Sequence, residues 1–361
     1  MGSNAEELVN RLAIKHNLLI LGNGFDLKLG LESSFSNFFE SKYFKNGSFV
    51  DSENNLIVFL LYLRFYDKTY KQGFFRPVYS SSPNWMDIES FLKKIAVEET
   101  VFKGIYKGLE LRNFTIFNIG TDELVKKLAK FFRNKQISSN YNYETLKTML
   151  SDDLNSFKNC FSSYLSEKLS CKKDYKKDQL GLINRIFSSV KFIDISLKTQ
   201  IINFNYTQIA HEKYEEVNIH GVLNSNIVIG YDSTDKEIRK DDVVYLSKDW
   251  QKLNIEFEYQ FPLDGIKSII IYGHSMGEQD YPYFFEIFDG CDFLSNKEVR
   301  LFVCYSLHGN SDNERRRNFE NLQINCSKLL NAYERTRIGS SARNTIISKL
   351  KLQGRIKIVE V

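Results

Sequence analysis

Proline is scarce, with four in 361 residues. Proline breaks helix interiors and removes ladder hydrogen bonds, so so few of them suit a helix-rich fold. Cysteine is sparse too. Cys160, Cys171, Cys291, Cys304 and Cys326 form no C-x-x-C pair, and their number is odd. That spacing argues against a zinc site and against a secreted disulfide framework. A reducing, cytoplasmic setting and no metal are the expectations. Cys304 lies in the apolar run Val299–Tyr305 and reads as core. Long hydrophobic runs are missing. The most apolar stretch, Leu56–Leu63, is far short of the roughly 20 residues a membrane span needs, so no membrane partner is expected. No signal peptide is evident, and Met1–Ala5 resemble a tag. No repeat of fixed period occurs. Charge of one sign is not in strong excess either: the formal net charge is +4, and a dedicated nucleic-acid binder carries a larger, clustered surplus. The longest basic run, Arg315–Arg317, has acidic neighbours within Asp312–Glu320. It reads as a solvated helix face, with a phosphate contact as the other reading.

What is present is an ordinary globular composition, 42% hydrophobic and 26% charged, which excludes disorder for most of the chain. The length allows one large domain or two modest ones. Leu18-Leu19-Ile20-Leu21 is a continuous apolar run, as in a buried parallel strand. A helix follows from about Ser34, where Phe35, Phe38 and Phe39 fall at helical spacing. From about residue 50 to 195 the pattern is helical, over Leu56–Phe65, Trp85–Val97, Asp122–Arg133, Tyr143–Leu169 and Asp178–Val190. Turn-rich patches at Ser80–Asn84 and Ser138–Tyr141 separate helices. Strands return after residue 195, at Thr199–Phe204, Val217–His220, Asn226–Gly230, Ile266–Tyr272, Val299–Tyr305 and Ile356–Val361. Helices are expected at Tyr283–Phe288, Asn313–Asn331 and Ser340–Leu350. Alternation of strand and helix predicts an α/β fold: a Rossmann-like, doubly wound parallel sheet. Its core would take residues 1–45 and 196–361, and residues 46–195 would form a large helical insertion, a cap.

Four strand ends carry chemistry. The first is Gly22-Asn23-Gly24-Phe25-Asp26, between strand and helix. Glycines there let backbone N–H groups approach a phosphate closely, and a helix N-terminus adds a favourable field. Leu27 replaces the third glycine of the dinucleotide fingerprint, so a tight turn with no ligand stands as the alternative. The second is Asn203-Phe204-Asn205-Tyr206-Thr207. Asn205 offers donor and acceptor to a carboxamide or a water; plain turn chemistry is the other reading. The third is His220-Gly221, where a histidine near neutrality suits a general base or a structural role. The fourth is Gly273-His274-Ser275, which suits ribose or phosphate, followed by Asp280 as a helix cap or a ribose ligand. In a parallel sheet, polar strand ends converge on one edge.

Taken together, Leu21–Asp26, Asn203–Thr207, Ile219-His220-Gly221, Gly273-His274-Ser275 and the W-x-D-x-E segment Trp85–Glu89 resemble the AbiH family of bacterial abortive-infection proteins. More remotely, the same residues in the same order are similar to the sirtuin motifs G-A-G, T-Q-N-I-D, H-G and G-T-S. Thr207 stands where sirtuins keep an aspartate, and the sirtuin zinc cysteines are absent, which counts against a protein deacetylase. The resemblance implies a bacterial, cytoplasmic phage-defence protein that takes NAD as substrate or ligand and hydrolyses it with release of nicotinamide. Asn205 would orient the nicotinamide or the attacking water, and His220 would act as base or engage a ribose hydroxyl. Gly22, Asn23, Gly24, Phe25, Gly273, His274, Ser275 and Asp280 would hold the nucleotide. Asp26, Asp87 or Glu89 would stabilise positive charge. The alternative is a binding module that senses a nucleotide or a phage component without catalysis. A cell-killing enzyme must be held off until infection, so a phage-derived trigger or homo-oligomer formation is expected to control the cleft.

Overall fold

The computed structural model describes residues 15–45, 55–65, 85–113, 123–135, 142–209, 211–231, 241–255, 262–307, 311–339 and 345–361. In chain order the elements are β1 (His16–Leu21), α1 (Gly24–Lys28), α2 (Phe35–Glu40), α3 (Lys42–Lys45), α4 (Leu56–Phe65), α5 (Trp85–Val97), α6 (Glu99–Glu110), α7 (Glu123–Asn134), α8 (Tyr143–Ser170), α9 (Tyr175–Ser189), β2 (Lys198–Asn203), β3 (Tyr214–Asn218), α10 (Lys248–Lys252), β4 (Ile266–Tyr272), α11 (Tyr281–Gly290), β5 (Arg300–Tyr305), α12 (Asp312–Ile338), α13 (Ile346–Leu352) and β6 (Ile356–Glu360).

The strands form one parallel sheet in the order β3-β2-β1-β4-β5-β6. This is the order of doubly wound nucleotide-binding folds, with the switch point between β1 and β4. Alternate residues of each strand serve opposite faces. Leu18, Ile20, Ile269, Ile271, Leu301 and Val303 pack with Phe284, Phe288, Leu329, Leu330 and Tyr333 of α11 and α12. Leu19, Leu21, Ile201, Ile270 and Phe302 pack with Phe25, Leu182, Ile183 and Ile186 of α1 and α9. Helices thus cover both faces, and the central strands, buried on both sides, read as unbroken apolar runs. Register aligns the carboxyl ends: Leu21 pairs with Asn203 and Tyr272, Asn203 with Asn218, and Tyr272 with Cys304.

The chain divides into two compact units, and the divisions differ from the expected 46 and 195. The sheet unit takes residues 1–31, 172–222 and 257–361, so it includes α9, whose apolar face lies on the sheet. The helical unit takes residues 32–171 and 223–256. Within it, Phe35 and Phe38 of α2 pack on Phe157 and Phe161 of α8, with the Phe35 and Phe161 rings 4.5 Å apart, and Phe39 stacks on Phe35. Ser34 caps α2 by accepting from the Asn37 N–H at 3.1 Å. Asn55 and Asp153 cap α4: Asn55 accepts from the Val58 N–H, and Asp153 accepts from the Leu56 N–H.

Two expectations need correction. Asn226–Gly230 is not a strand. The Gln251 side chain accepts from the Ile229 N–H and donates to its carbonyl, satisfying the backbone without a ladder. The strand expected at Val217–His220 runs earlier, as Tyr214–Asn218, leaving His220 two residues beyond its end. The turn patches Ser80–Asn84 and Ser138–Tyr141, residues Met1–Ala5 and the segment 340–344 lie outside the described residues.

Candidate functional site

Three loops leave the carboxyl edge of the sheet beside the switch point. The loops after β1 and β4 are bonded to each other. The Gly22 N–H donates to the Tyr272 carbonyl at 3.0 Å and the Gly24 N–H to the Gly273 carbonyl at 2.7 Å, while the Phe25 N–H closes back on Gly22 at 2.8 Å. A Cβ on Gly22 would lie 2.5 Å from the His274 Cα, and one on Gly24 would lie 2.7 Å from the Gly273 Cα. The glycines therefore serve the close approach of two loops, and the N–H groups of Gly22, Gly24 and Phe25 are engaged by the chain itself. Phe25 is wholly buried in the core. Asn23 accepts from the Leu27 N–H through its carbonyl. What the first loop presents outward is Gly24, Leu27 and Lys28.

The loop after β2 is held by side chains. Asn203 accepts from the Asn205 N–H at 2.9 Å and donates to the Thr207 carbonyl at 2.8 Å. Asn218, at the end of β3, donates to the carbonyls of Asn205 and Thr207. Asn205 in turn donates to the Gly22 carbonyl at 3.1 Å, tying this loop to the first. Asp26 lies beneath, 2% exposed. It accepts from the Tyr175 hydroxyl at 2.7 Å and from the Thr207 hydroxyl at 2.8 Å. Thr207 thus has a specific role that an aspartate would not fill, because a second carboxylate there would repel the first.

Burial pushes the Asp26 carboxyl from 3.8 up to about 6, against the opposing pull of the Tyr175 and Thr207 hydrogen bonds. Burial and the neighbouring Asp26 charge also raise the Tyr175 hydroxyl. The folded chain binds the Asp26 proton more tightly than the unfolded chain does. Stability from the protonated form is therefore full below about pH 3.8 and lost as pH rises through about 6. At 1.36 kcal/mol per pH unit, the span from 3.8 to about 6 amounts to about 3 kcal/mol. Thermal unfolding between pH 4.5 and 7.5 should show wild type losing about 2 kcal/mol of this relative to Asp26→Asn, and parallel profiles would refute the assignment.

His220 and His274 flank Phe204, with ring centroids 5.5 and 4.4 Å away. His274 accepts from the Met276 N–H through Nδ1 at 2.8 Å, which leaves the proton of the neutral ring on Nε2, 3.5 Å from Asp280 Oδ2. Asp280 therefore serves to orient His274, and it also stands at the N-cap of α11 without capping it through its side chain. Glu89 is in the helical unit, buried against Lys248, and the side chain of Asp87 lies outside the described ones.

A cleft of about 470 Å³ opens at the ends of β1, β4 and β5. Gly24, Gly273, His274 and Ser275 line it; Asp26, Asn205 and His220 do not. Lys28, Ser306, Asn318 and Asn325, which sequence reading missed, also line it, as does Arg315, for which a phosphate contact is the alternative to a solvated face. The signal was the spacing of Arg315, Asn318, Leu322 and Asn325 along one face of a helix. Among the described residues lining the cleft none is acidic. Among the described residues, no three His, Cys, Asp or Glu side chains gather into a metal-binding group, and no helix is long and apolar enough to cross a membrane.

A family model described as bacteriophage abortive infection AbiH matches residues 18–305. No curated protein and no solved structure matches the chain.

Proposed function

The chain belongs to the AbiH family of bacteriophage abortive infection proteins, and from that premise we propose that it is a nucleotide-binding defence effector that hydrolyses NAD. The observation that carries the reading is the cleft at the switch point of a 3-2-1-4-5-6 sheet, where open α/β folds take nucleotides. Its size is within the range of about 300–1,000 Å³ of ligand sites. Its lining suits the anionic ligand: Lys28 and Arg315 supply positive charge, and Ser275, Asn318 and Asn325 supply hydrogen-bonding groups.

In this reading the ribose–nicotinamide end reaches toward Asn205 and His220. Water adds a hydroxyl to the ribose carbon, nicotinamide leaves with the bonding pair, and one proton is released, with His220 as its first acceptor. Asn205 orients the water or the carboxamide. Self-association or a phage-derived trigger controls access to the cleft, so that the activity is withheld until infection; a constitutively active monomer would contradict that control.

A second reading, a sensing module without catalysis, is favoured by one observation. Asp26, Asn203 and Asn205 are all closed in bonds to the chain itself. Purified protein incubated with NAD separates the two. Nicotinamide release, followed by chromatography, is expected from wild type and is expected to be lost in Asn205→Ala and in His220→Ala. Release retained by His220→Ala would remove His220 from the chemistry. NAD binding without release by any form would favour the sensor.

A further inference from the structure

The cleft has one wall that lies beyond residue 305, where the family match ends. That wall is α12, 27 residues long. At 1.5 Å per residue it runs about 40 Å, whereas strands of five to seven residues span only about 16–24 Å. Its second half packs on the sheet through Cys326, Leu329, Leu330 and Tyr333, and its first half holds no buried residue. The first half therefore projects past the carboxyl edge. Arg315, Asn318, Asn321 and Asn325 of this half face the cleft, and Asn325 donates to the Ser275 carbonyl at 3.0 Å, fixing the helix to the β4 loop. Phe319 packs on Tyr305 with the rings tilted and their centroids 4.8 Å apart, fixing it to the end of β5.

Resting on the reading of the cleft as a nucleotide site, we propose that the outer half of α12 selects the ligand, with Arg315 and Lys28 clamping the pyrophosphate of a dinucleotide or nucleoside diphosphate. The two cations come from separate elements, α1 and α12, onto one cleft whose described lining has no acid. Arg315 also pairs with Asp312 at 3.5 Å, but Asp312 is wholly exposed. Such a surface pair is weak, and a phosphate offering bidentate contacts displaces it. Phe319 and Leu322 of α12, with Tyr305 at the end of β5, line the same cleft and give a base a surface to lie on.

Calorimetric titration of the full chain with NAD, ADP and adenosine tests this. Arg315→Ala and Lys28→Ala should each weaken NAD and ADP by about tenfold or more, the worth of one charge-assisted hydrogen bond. Adenosine should change by less than about twofold, as should NAD binding to Arg317→Ala, a neighbour outside the cleft lining. Wild type that binds NAD and ADP equally marks a nucleoside diphosphate clamp; wild type that binds NAD alone marks a dinucleotide clamp. If wild type binds NAD and both variants bind it as tightly, the clamp is wrong while the cleft reading survives. If wild type binds neither NAD nor ADP, the cleft reading falls and the clamp with it.

Discussion

Gly273→Ala is expected to destabilise the sheet unit by about 2–5 kcal/mol and, on the proposed reading of the cleft, to abolish nucleotide binding there. Two effects add. Gly273 has φ +69°, a left-handed conformation that costs a side-chain-bearing residue about 1–2 kcal/mol. A Cβ there would also lie 2.4 Å from the Phe25 nitrogen and 2.7 Å from the Gly24 carbonyl carbon. These are backbone atoms of the facing loop and cannot rotate away, so the loops must part. Parting breaks the Gly24–Gly273 hydrogen bond and moves the two walls that Gly24 and Gly273 give the cleft. Overpacking of this kind costs about 1–3 kcal/mol more. Gly354→Ala is the control. It has φ +64° in the turn that ends α13 and open space around its Cβ, so it should lose only the conformational part. Thermal unfolding of both variants measures the difference. Equal losses at the two positions would show that the loops yield freely and that their contact is not what shapes the site.

The fold was legible where burial left a one-dimensional trace. β1, β4 and β5 are buried on both faces, so Leu18–Leu21, Ile266–Tyr272 and Val299–Tyr305 stand out as apolar runs. β3 is an edge strand and reads Tyr-Glu-Glu-Val-Asn. Its Glu216 faces not water but the Ile209 N–H and the Asn203 amide, so an acid occupies a place where the pattern asks for an apolar residue. The apolar pattern therefore begins only at Val217, three residues after the strand does. At Asn226–Gly230 the opposite happens. An apolar run looks like a strand, but its partner is the single side chain of Gln251.

The candidate site was legible as a set of polar strand ends and not as a network. Asp26, Thr207 and Tyr175 meet across 149 and 181 positions of sequence, and no local signal encodes such a meeting. The position of Asp26 beside the glycine loop suggests a group facing the chemistry; its burial and its bonds to Tyr175 and Thr207 show in the fold alone. The acidic neighbours of Arg315 favour a solvated face over a phosphate contact. The helix it sits on is solvated there, but only because α12 outruns the sheet, and that overhang depends on the relative lengths of elements far apart in the chain.

Lys248→Met is expected to destabilise the helical unit by about 3–5 kcal/mol. Lys248 and Glu89 are 1% and 7% exposed at the side chain, with Nζ and Oε1 2.5 Å apart. Removing two charges from water costs several kcal/mol per ion, and only their mutual attraction and remaining hydrogen bonds offset it. Taking away the lysine leaves the Glu89 carboxylate buried without its counter-charge. The pair joins α5 to α10, which are far apart in sequence but lie in one compact unit, so its loss should release the segment 241–255 from the helices it packs on. The double variant Lys248→Met with Glu89→Leu separates attraction from desolvation. Filling both places with apolar groups of similar size should recover most of the loss, because the cost of burying charge disappears with the charges. Thermal unfolding of the two single variants and the double variant completes the cycle. A single variant as stable as wild type would mean that Glu89 takes up a proton or reaches water when the lysine is gone. A double variant no better than either single one would mean that the pair contributes shape and hydrogen bonding that apolar side chains do not replace.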